Sequence, residues 1–460
     1  MNISAFVYFN IVIIGSIILF VLSRFKPVSI WKQAFFSDKL FLITSLIICC
    51  MLFWPNNYRE SAFSIESSLG ANRYIRIIAY LLIFAYCSFK LHTKHSFIRM
   101  SYVKWYIIYI IVCFLSAFYS PFPEETLWKS FELLLCVTLV FLYFQSSRHE
   151  KDYYYKLVHG LTFIIFALVL FSLVGILIYP ELSRDVGTVF IRENTMVDIT
   201  SISMGGIIPQ IHPNTLSQLS GIIFFIGITT FYYEKRHKNG CFFVILVGLL
   251  TLLIAHSRTS IIATIIFFLL YLVFNNKWRS IVTIVITGII AFVLYSDFIL
   301  AFILRGQDKN LFLSMSGRSN IWSIAYNAFI EDPLLGKGFY SGHKSLDMSK
   351  ILSVFSNIDN TYLESLVNVG VIGTFFLITF AFTLVFDSFK MLIVQRRIWS
   401  TDDYIILSYL CIFESFVIFR SFAGPSYQIM HINLFIMLVS AAAITLLKRE
   451  KKFYKLPNYQ

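Results

Sequence analysis

The side chains in this chain best suited to chemistry are the few charged and hydrogen-bonding residues set among long hydrophobic runs. Arg258 sits in Ala255-His256-Ser257-Arg258-Thr259-Ser260, where one apolar run ends and the next begins. Arg318 follows Gly317, and downstream come Asp332-Pro333-Leu334-Leu335-Gly336-Lys337-Gly338 and Asp359-Asn360-Thr361-Tyr362-Leu363. A guanidinium offers parallel donors that match phosphate oxygens. A carboxylate such as Asp359 can take a proton from a hydroxyl held against it. His212-Pro213-Asn214, His343, Arg184, Arg192, Arg305 and Arg420 add further polar groups that could bind a substrate.

Each of these has a structural alternative. An arginine at the end of an apolar run can snorkel to the interface. Asp359-Asn360 ahead of a helix can be a turn or an N-cap, and Asn214 can cap the helix that follows it. His343, in Tyr340-Ser341-Gly342-His343-Lys344, can be a solvated loop histidine, a base or a sugar contact.

Metal and cofactor chemistry has no motif here. The chain has no P-loop, no HExxH, and no DxD-type pair in the loops that could face a substrate. Its seven cysteines, Cys49, Cys50, Cys87, Cys113, Cys136, Cys241 and Cys411, lie in or beside apolar runs without a CxxC pair. They read as small core hydrophobes. No cofactor and no metal are expected.

The elements that must position these groups are membrane spans. Of 460 residues, 58% are hydrophobic and only 14% charged, against about 25% charged in a soluble domain. Apolar runs of about 17–23 residues suit helices crossing a bilayer core. The expected fold is therefore all-α integral membrane, with about 12–14 transmembrane helices. Candidate spans lie near 4–22, 40–55, 74–89, 105–120, 128–145, 157–179, 215–233, 241–257, 259–275, 280–300, 363–389, 404–420 and 428–447. The N-terminus has no basic n-region or small-residue cleavage site, so the first span is expected to be retained.

Charge orients the spans. Most of the 38 Lys and Arg fall in alternate connections, from Arg24 and Lys39 through Lys90–Lys104 to the basic tail at 448–460. By the positive-inside rule that side is cytoplasmic. The C-terminus is then inside and the N-terminus outside. The net charge of +13 is accounted for this way, and nucleic acid is not an expected partner. Two outer loops are long, 180–214 and 301–362, within a single polytopic domain spanning 1–460. The second has the apolar spacing of an amphipathic helix over Ser319–Ile330, stopped by Asp332-Pro333, and such a helix could lie along the membrane.

Taken in order, these segments resemble the O-antigen ligase and Wzy-type polysaccharide polymerase superfamily. The resemblance rests on Ser257-Arg258 between two apolar runs and on Gly317-Arg318…Trp322…Ala325…Asp332-Pro333-Leu334…Gly336-Lys337-Gly338. It rests also on Asp359-Asn360-Thr361-Tyr362-Leu363-Glu364…Gly370-Val371-Ile372-Gly373, and it covers about 212–375. The resemblance implies a GT-C-like membrane glycosyltransferase of the bacterial inner membrane, acting on the extracytoplasmic face without a metal. It implies an undecaprenyl-diphosphate-linked glycan as donor and a second lipid-linked glycan as acceptor, and it allows a chain-length regulator as protein partner. Arg258 and Arg318 would neutralise the leaving diphosphate and Asp359 would be the base. His212, Asn214, Arg192, Arg305, His343, Asn360, Tyr362 and Arg420 would contact substrate. Where the ligases carry histidine before Asn, this chain has Asp359, and no arginine lies within Thr200–Gln210 ahead of Pro213-Asn214. The first departure favours a polymerase over a ligase that transfers glycan to lipid A-core. A transporter or flippase of lipid-linked sugars is the alternative of another class, but it would place its charges near the bilayer midplane.

Overall fold

The computed structural model describes residues 5–37, 78, 80–82, 84–86, 88–89, 101–146, 153–187, 203–233, 238–274, 277–304, 318–346, 358–394 and 399–452. The candidate span 40–55, part of 74–89, and both Arg192 and Arg305 lie outside the described residues.

The helices run in order α1 (Ala5–Leu22), α2 (Val28–Ser37), α3 (Val103–Leu115), α4 (Pro123–Ser146), α5 (Tyr153–Ile178) and α6 (Pro180–Gly187). They continue with α7 (Pro213–Tyr233), α8 (Lys238–Ala255), α9 (Arg258–Phe274), α10 (Trp278–Leu294) and α11 (Ser296–Leu304). The last are α12 (Arg318–Glu331), α13 (Thr361–Val394), α14 (Thr401–Ser421) and α15 (Ile432–Lys452). Three open on proline, Pro123, Pro180 and Pro213, where the missing N–H would have had no helical partner in any case. Helix α14 opens on a side-chain cap, the Ser400 hydroxyl accepting from the Asp403 N–H at 3.2 Å. Asp402 and Asp403 in its first turn complement the helix dipole.

Among the described residues there is no strand, only an isolated bridge between Gly206 and Ile211. Among the described residues six helices, α5, α7, α8, α13, α14 and α15, are long and apolar enough to cross a membrane, and α1, α3 and α9 are shorter apolar helices. The chain is an all-α, multi-pass integral membrane protein. The run at 280–300 is not one straight span. Helices α10 and α11 meet at an angle of 93°, with Tyr295 closing the first.

Two compact units form. Unit 1 comprises Met1–Leu22 and Ile165–Asn320, and unit 2 comprises Ser23–Ile164 and Ile321–Gln460. In unit 1, α7 packs along α8 and α9. The fit is close enough that a Cβ on Gly248 would stand 2.6 Å from the Phe224 backbone nitrogen. In unit 2, α13 packs on α3 and α14, and α15 on α14 and α4. One end of that bundle is tied by polar groups. The Tyr102 hydroxyl donates to Asp387 at 2.5 Å, and the Lys448 ammonium bonds both that carboxylate and the Tyr102 oxygen. Cys113, Cys136, Cys241 and Cys411 are free and buried, as small core residues should be.

Helix α12 covers the amphipathic stretch read at Ser319–Ile330. Its apolar face is turned into unit 2, where Ile321, Ala325 and Ala328 pack with Leu346, Ile358 and Val367.

Candidate functional site

The site residues fall in both units. In unit 1 the reversal between α8 and α9 is two residues long, and the first, His256, takes a left-handed φ of 50°. That conformation is open to few residue types, histidine among them. The His256 Nε2–H donates to the Phe302 carbonyl at 2.9 Å, and the two rings stack at 3.9 Å. Met204 N–H and the Ser203 hydroxyl bond the carbonyls of Ile254 and Ala255, at 3.4 and 3.1 Å. The last turn of α8 is thus pinned on two sides, and the next residue but two, Arg258, opens α9 half-buried. Arg318, at the first position of α12, lies close enough for its charge to act on Arg258.

His212 and Asn214 stand at the start of α7, with their capping roles exchanged relative to the sequence expectation. His212 is the cap. Its carbonyl accepts from Thr215 and Leu216 at 2.9 and 3.0 Å, and its Nδ1 accepts from the Asn214 N–H at 3.2 Å. Asn214 is already inside the helix because Pro213 occupies its first position.

Unit 2 brings Asp359, Asn360, Tyr362 and Arg420 onto one wall. Asp359 also has a left-handed φ, 53°, a conformation that Asp, Asn and His reach far more readily than other non-glycine residues. Asn360 is the N-cap of α13, its side-chain oxygen accepting from Tyr362 and Leu363 N–H at 3.0 and 3.1 Å. The Trp322 indole of α12 donates to the Ile358 carbonyl at 2.9 Å, which fixes the residue just before Asp359. The same turn docks on the segment after α14. Asn360 Nδ2 donates to Phe422 at 3.4 Å, and the Thr361 hydroxyl bonds the Gly424 carbonyl and Gln428 Oε1 at 2.9 and 3.0 Å. The Tyr362 ring packs on Phe422 at 5.0 Å. Arg420, in the last turn of α14, is buried and donates to the Ala423 carbonyl of that segment.

Helix α13 is broken at Gly370, which has φ 62° and ψ −167°. A break inside a span frees backbone groups that lipid cannot satisfy. Here the segment Asp332–Gly338 satisfies them. Lys337 and Gly338 N–H donate to the carbonyls of Val367 and Asn368 at 2.8 and 2.9 Å. Pro333 and Leu334 carbonyls accept from Val371 and Ile372 N–H at 2.9 and 3.3 Å. The motif Asp332-Pro333-Leu334-Leu335-Gly336-Lys337-Gly338 is therefore a strap that replaces one missing helical turn of bonds. A second set of bonds holds the strap to α3 and α4. The Ser116 hydroxyl accepts from Phe339 N–H at 2.9 Å, Thr126 donates to the Phe339 carbonyl at 2.9 Å, and Ser120 and Ser341 hydroxyls meet at 2.5 Å.

His343 lies beneath the strap, 2% exposed. Its N–H donates to Asn368 Oδ1 at 2.9 Å, and its ring Nδ1 is 3.3 Å from that oxygen and 3.9 Å from Glu364 Oε1. Burial lowers its pKa to about 4, so the ring is neutral near pH 7. Because the unfolded histidine titrates near 6.5, the unfolded state binds more protons as pH falls below that value. Stability is accordingly lost between pH 6.5 and about 4, by about 3 kcal/mol in all. His343→Gln is expected to flatten that part of the pH dependence, measured as melting temperature of the detergent-solubilised protein against pH. An unchanged slope would show that another group carries it.

Asn368, Gln428 and His431 did not stand out in the sequence as site residues, since each resembles an ordinary span or loop polar group. The recurrence of His-x-Asn at 212–214 and 431–433 was the available signal. Among the described residues no group of three or more His, Cys, Asp or Glu gathers to hold a metal.

Residues 242–378 match the model of a protein family described as O-antigen ligase. The matched range runs from α8 past the break in α13 and includes Arg258, Arg318, the strap and Asp359–Tyr362. It leaves out His212, Arg420 and His431. No curated protein matches the chain.

Proposed function

We propose, for a chain that carries an O-antigen ligase domain over residues 242–378, that it polymerises lipid-linked oligosaccharide repeat units into a surface polysaccharide. The observation that carries the reading is the pair of arginines inside that domain. Arg318 lies close enough for its charge to act on Arg258, and two guanidinium groups brought together offer several donors to the oxygens of one anion. A diphosphate released at a membrane surface is such an anion.

In the reaction the anomeric C–O bond of an undecaprenyl-diphosphate-linked glycan breaks, and the diphosphate leaves with the bonding pair. Arg258 and Arg318 stabilise its developing charge. An acceptor sugar hydroxyl attacks from the opposite face, giving inversion, and its proton passes to the Asp359 carboxylate. The acceptor is a second lipid-linked glycan. His212, Asn214, Arg192, Arg305, His343, Asn360, Tyr362 and Arg420 contribute contacts or support to the two substrates. The enzyme works in the bacterial inner membrane with its site on the outer face and its C-terminus in the cytoplasm. A chain-length regulator protein is the partner that fits a polymerase. The ligase reading, with lipid A-core as acceptor, has the family's description in its favour. Asp359 in place of histidine favours the polymerase.

The test is genetic. Deleting the chain should abolish long polysaccharide and leave a single repeat unit. Wild type should restore the ladder and Asp359→Ala should not. Asp359→His should restore part of it, because histidine tolerates the left-handed backbone and can accept a proton. Full complementation by Asp359→Ala would remove the base role, and unaltered chain length in the deletion would remove the polymerase reading.

A further inference from the structure

Helix α15 begins in the same way as α7. A histidine precedes each helix and an asparagine follows two residues later, in His212-Pro213-Asn214 and His431-Ile432-Asn433. At the second, the His431 carbonyl accepts from Leu434 and Phe435 N–H at 3.0 and 3.3 Å. In both, the ring Nδ1 accepts from the asparagine N–H at 3.2 Å. A ring nitrogen that accepts a hydrogen bond carries no proton. The proton of the neutral imidazole is therefore on Nε2, and the helix start has fixed the tautomer.

The surroundings separate the two. His212 is exposed, whereas His431 is half-buried in the segment on which Asn360, Thr361 and Tyr362 dock. Arg420 lies near it, itself only 6% exposed. The helix N-terminus and the guanidinium both oppose a second proton on the ring. Burial first, and the Arg420 guanidinium second, lower His431 to about 3. A neutral imidazole held this way is a hydrogen-bond donor over the whole physiological range, and it does not act as an acid. Among the described residues, only the Asn433 N–H is hydrogen-bonded to this ring.

We propose that His431 is a further substrate-binding residue, whose Nε2–H donates to an oxygen of the acceptor sugar beside the hydroxyl that Asp359 deprotonates. The inference rests on the polymerase reading for the identity of the acceptor. Its geometric basis is separate: Asp359 and His431 belong to two segments of unit 2 that are hydrogen-bonded to one another.

Two substitutions separate binding from capping. In His431→Asn the side-chain oxygen takes the place of Nδ1 and keeps the cap, but nothing stands at Nε2. In His431→Gln the longer amide returns a donor towards the Nε2 position. The full chain is purified in detergent with donor glycolipid extracted from cells lacking it, and the repeat-unit oligosaccharide cut from its lipid is titrated as acceptor. His431→Asn should melt within about 2 °C of wild type and keep its KM for the donor. Its kcat/KM for the acceptor should fall about tenfold, the loss of one hydrogen bond, and His431→Gln should recover part of it. Binding of the same oligosaccharide, followed by saturation-transfer NMR without turnover, should weaken in parallel. Wild-type acceptor kinetics and binding in His431→Asn would overturn the proposal. So would a loss that accompanies a lower melting temperature and is not recovered by glutamine. If wild type binds the oligosaccharide through His431 yet forms no glycosidic bond, the proposal stands and the polymerase reading fails.

Discussion

Arg258→Ala and Arg318→Ala are each expected to lower polysaccharide elongation by about 10²–10³-fold, the usual effect of deleting one donor that meets charge developing in a transition state. Protein levels should remain normal. Arg258 opens α9 at a turn already pinned through His256 and Ala255, so removing its side chain leaves the turn's own bonds in place. Arg318 opens α12, whose packing is carried by Ile321, Ala325 and Ala328. Lysine at either position should restore only part of the activity, because a point charge cannot reproduce the planar two-donor contact. The check is chain-length distribution on gels beside quantified membrane protein. Near-normal chains in both alanine variants would sink the leaving-group role.

Gly370→Ala should be the most damaging small change in the described fold. Alanine at φ 62° and ψ −167°, a region populated essentially by glycine alone, costs about 1–3 kcal/mol, and its Cβ would lie 2.2 Å from the Leu334 carbonyl oxygen. The collision can be relieved only by moving the strap, which breaks the four bonds across the helix break. A total cost of about 3 kcal/mol or more follows. Gly336→Ala should act through the same contact from the other side, because its Cβ would lie 2.6 Å from Gly370 N at φ 69°. Gly288 in α10 has nothing within 4 Å, so Gly288→Ala is the control and should leave stability unchanged or slightly raised. Thermal denaturation in one detergent measures all three. A Gly370→Ala protein that melts with wild type would mean that the strap does not support the break.

Much of this architecture was legible in the residues. Composition marked a helical membrane protein, and the spacing from Ile321 to Phe329 marked α12 to within a residue at each end. The order Arg258, Arg318, Asp332–Gly338, Asp359–Leu363, Gly370 carried the resemblance, and the family match falls over the same stretch, 242–378. The purpose of the glycines was not legible. Gly336 and Gly370 are 34 positions apart, and the bonds between Pro333–Gly338 and Val367–Ile372 join a loop to the middle of an apolar run. No local pattern encodes such a pairing. The apolar run at 280–300 concealed a bend for a related reason. Helices α10 and α11 are both mostly apolar, with no residue buried, so hydropathy reads straight through Tyr295. His343 looked like a loop group because its neighbours Ser341, Gly342 and Lys344 are polar, yet their hydrogen bonds are satisfied inwards, against Ser120, Thr126 and Glu125. The capping residue of α7 was misassigned because the helix already starts at Pro213, two residues earlier than an Asn214 cap would give, so His212 takes the capping place.

The central claim is glycosyl transfer between two lipid-linked glycans, and one reconstitution tests it most directly. The purified chain is incubated with undecaprenyl-diphosphate-linked repeat unit alone, with the repeat unit plus lipid A-core, and with each mixture in EDTA. The account predicts a ladder of lengthening lipid-linked chains from the repeat unit alone, unchanged by EDTA. Transfer of glycan only when lipid A-core is present, with no ladder without it, would contradict the account and establish a ligase.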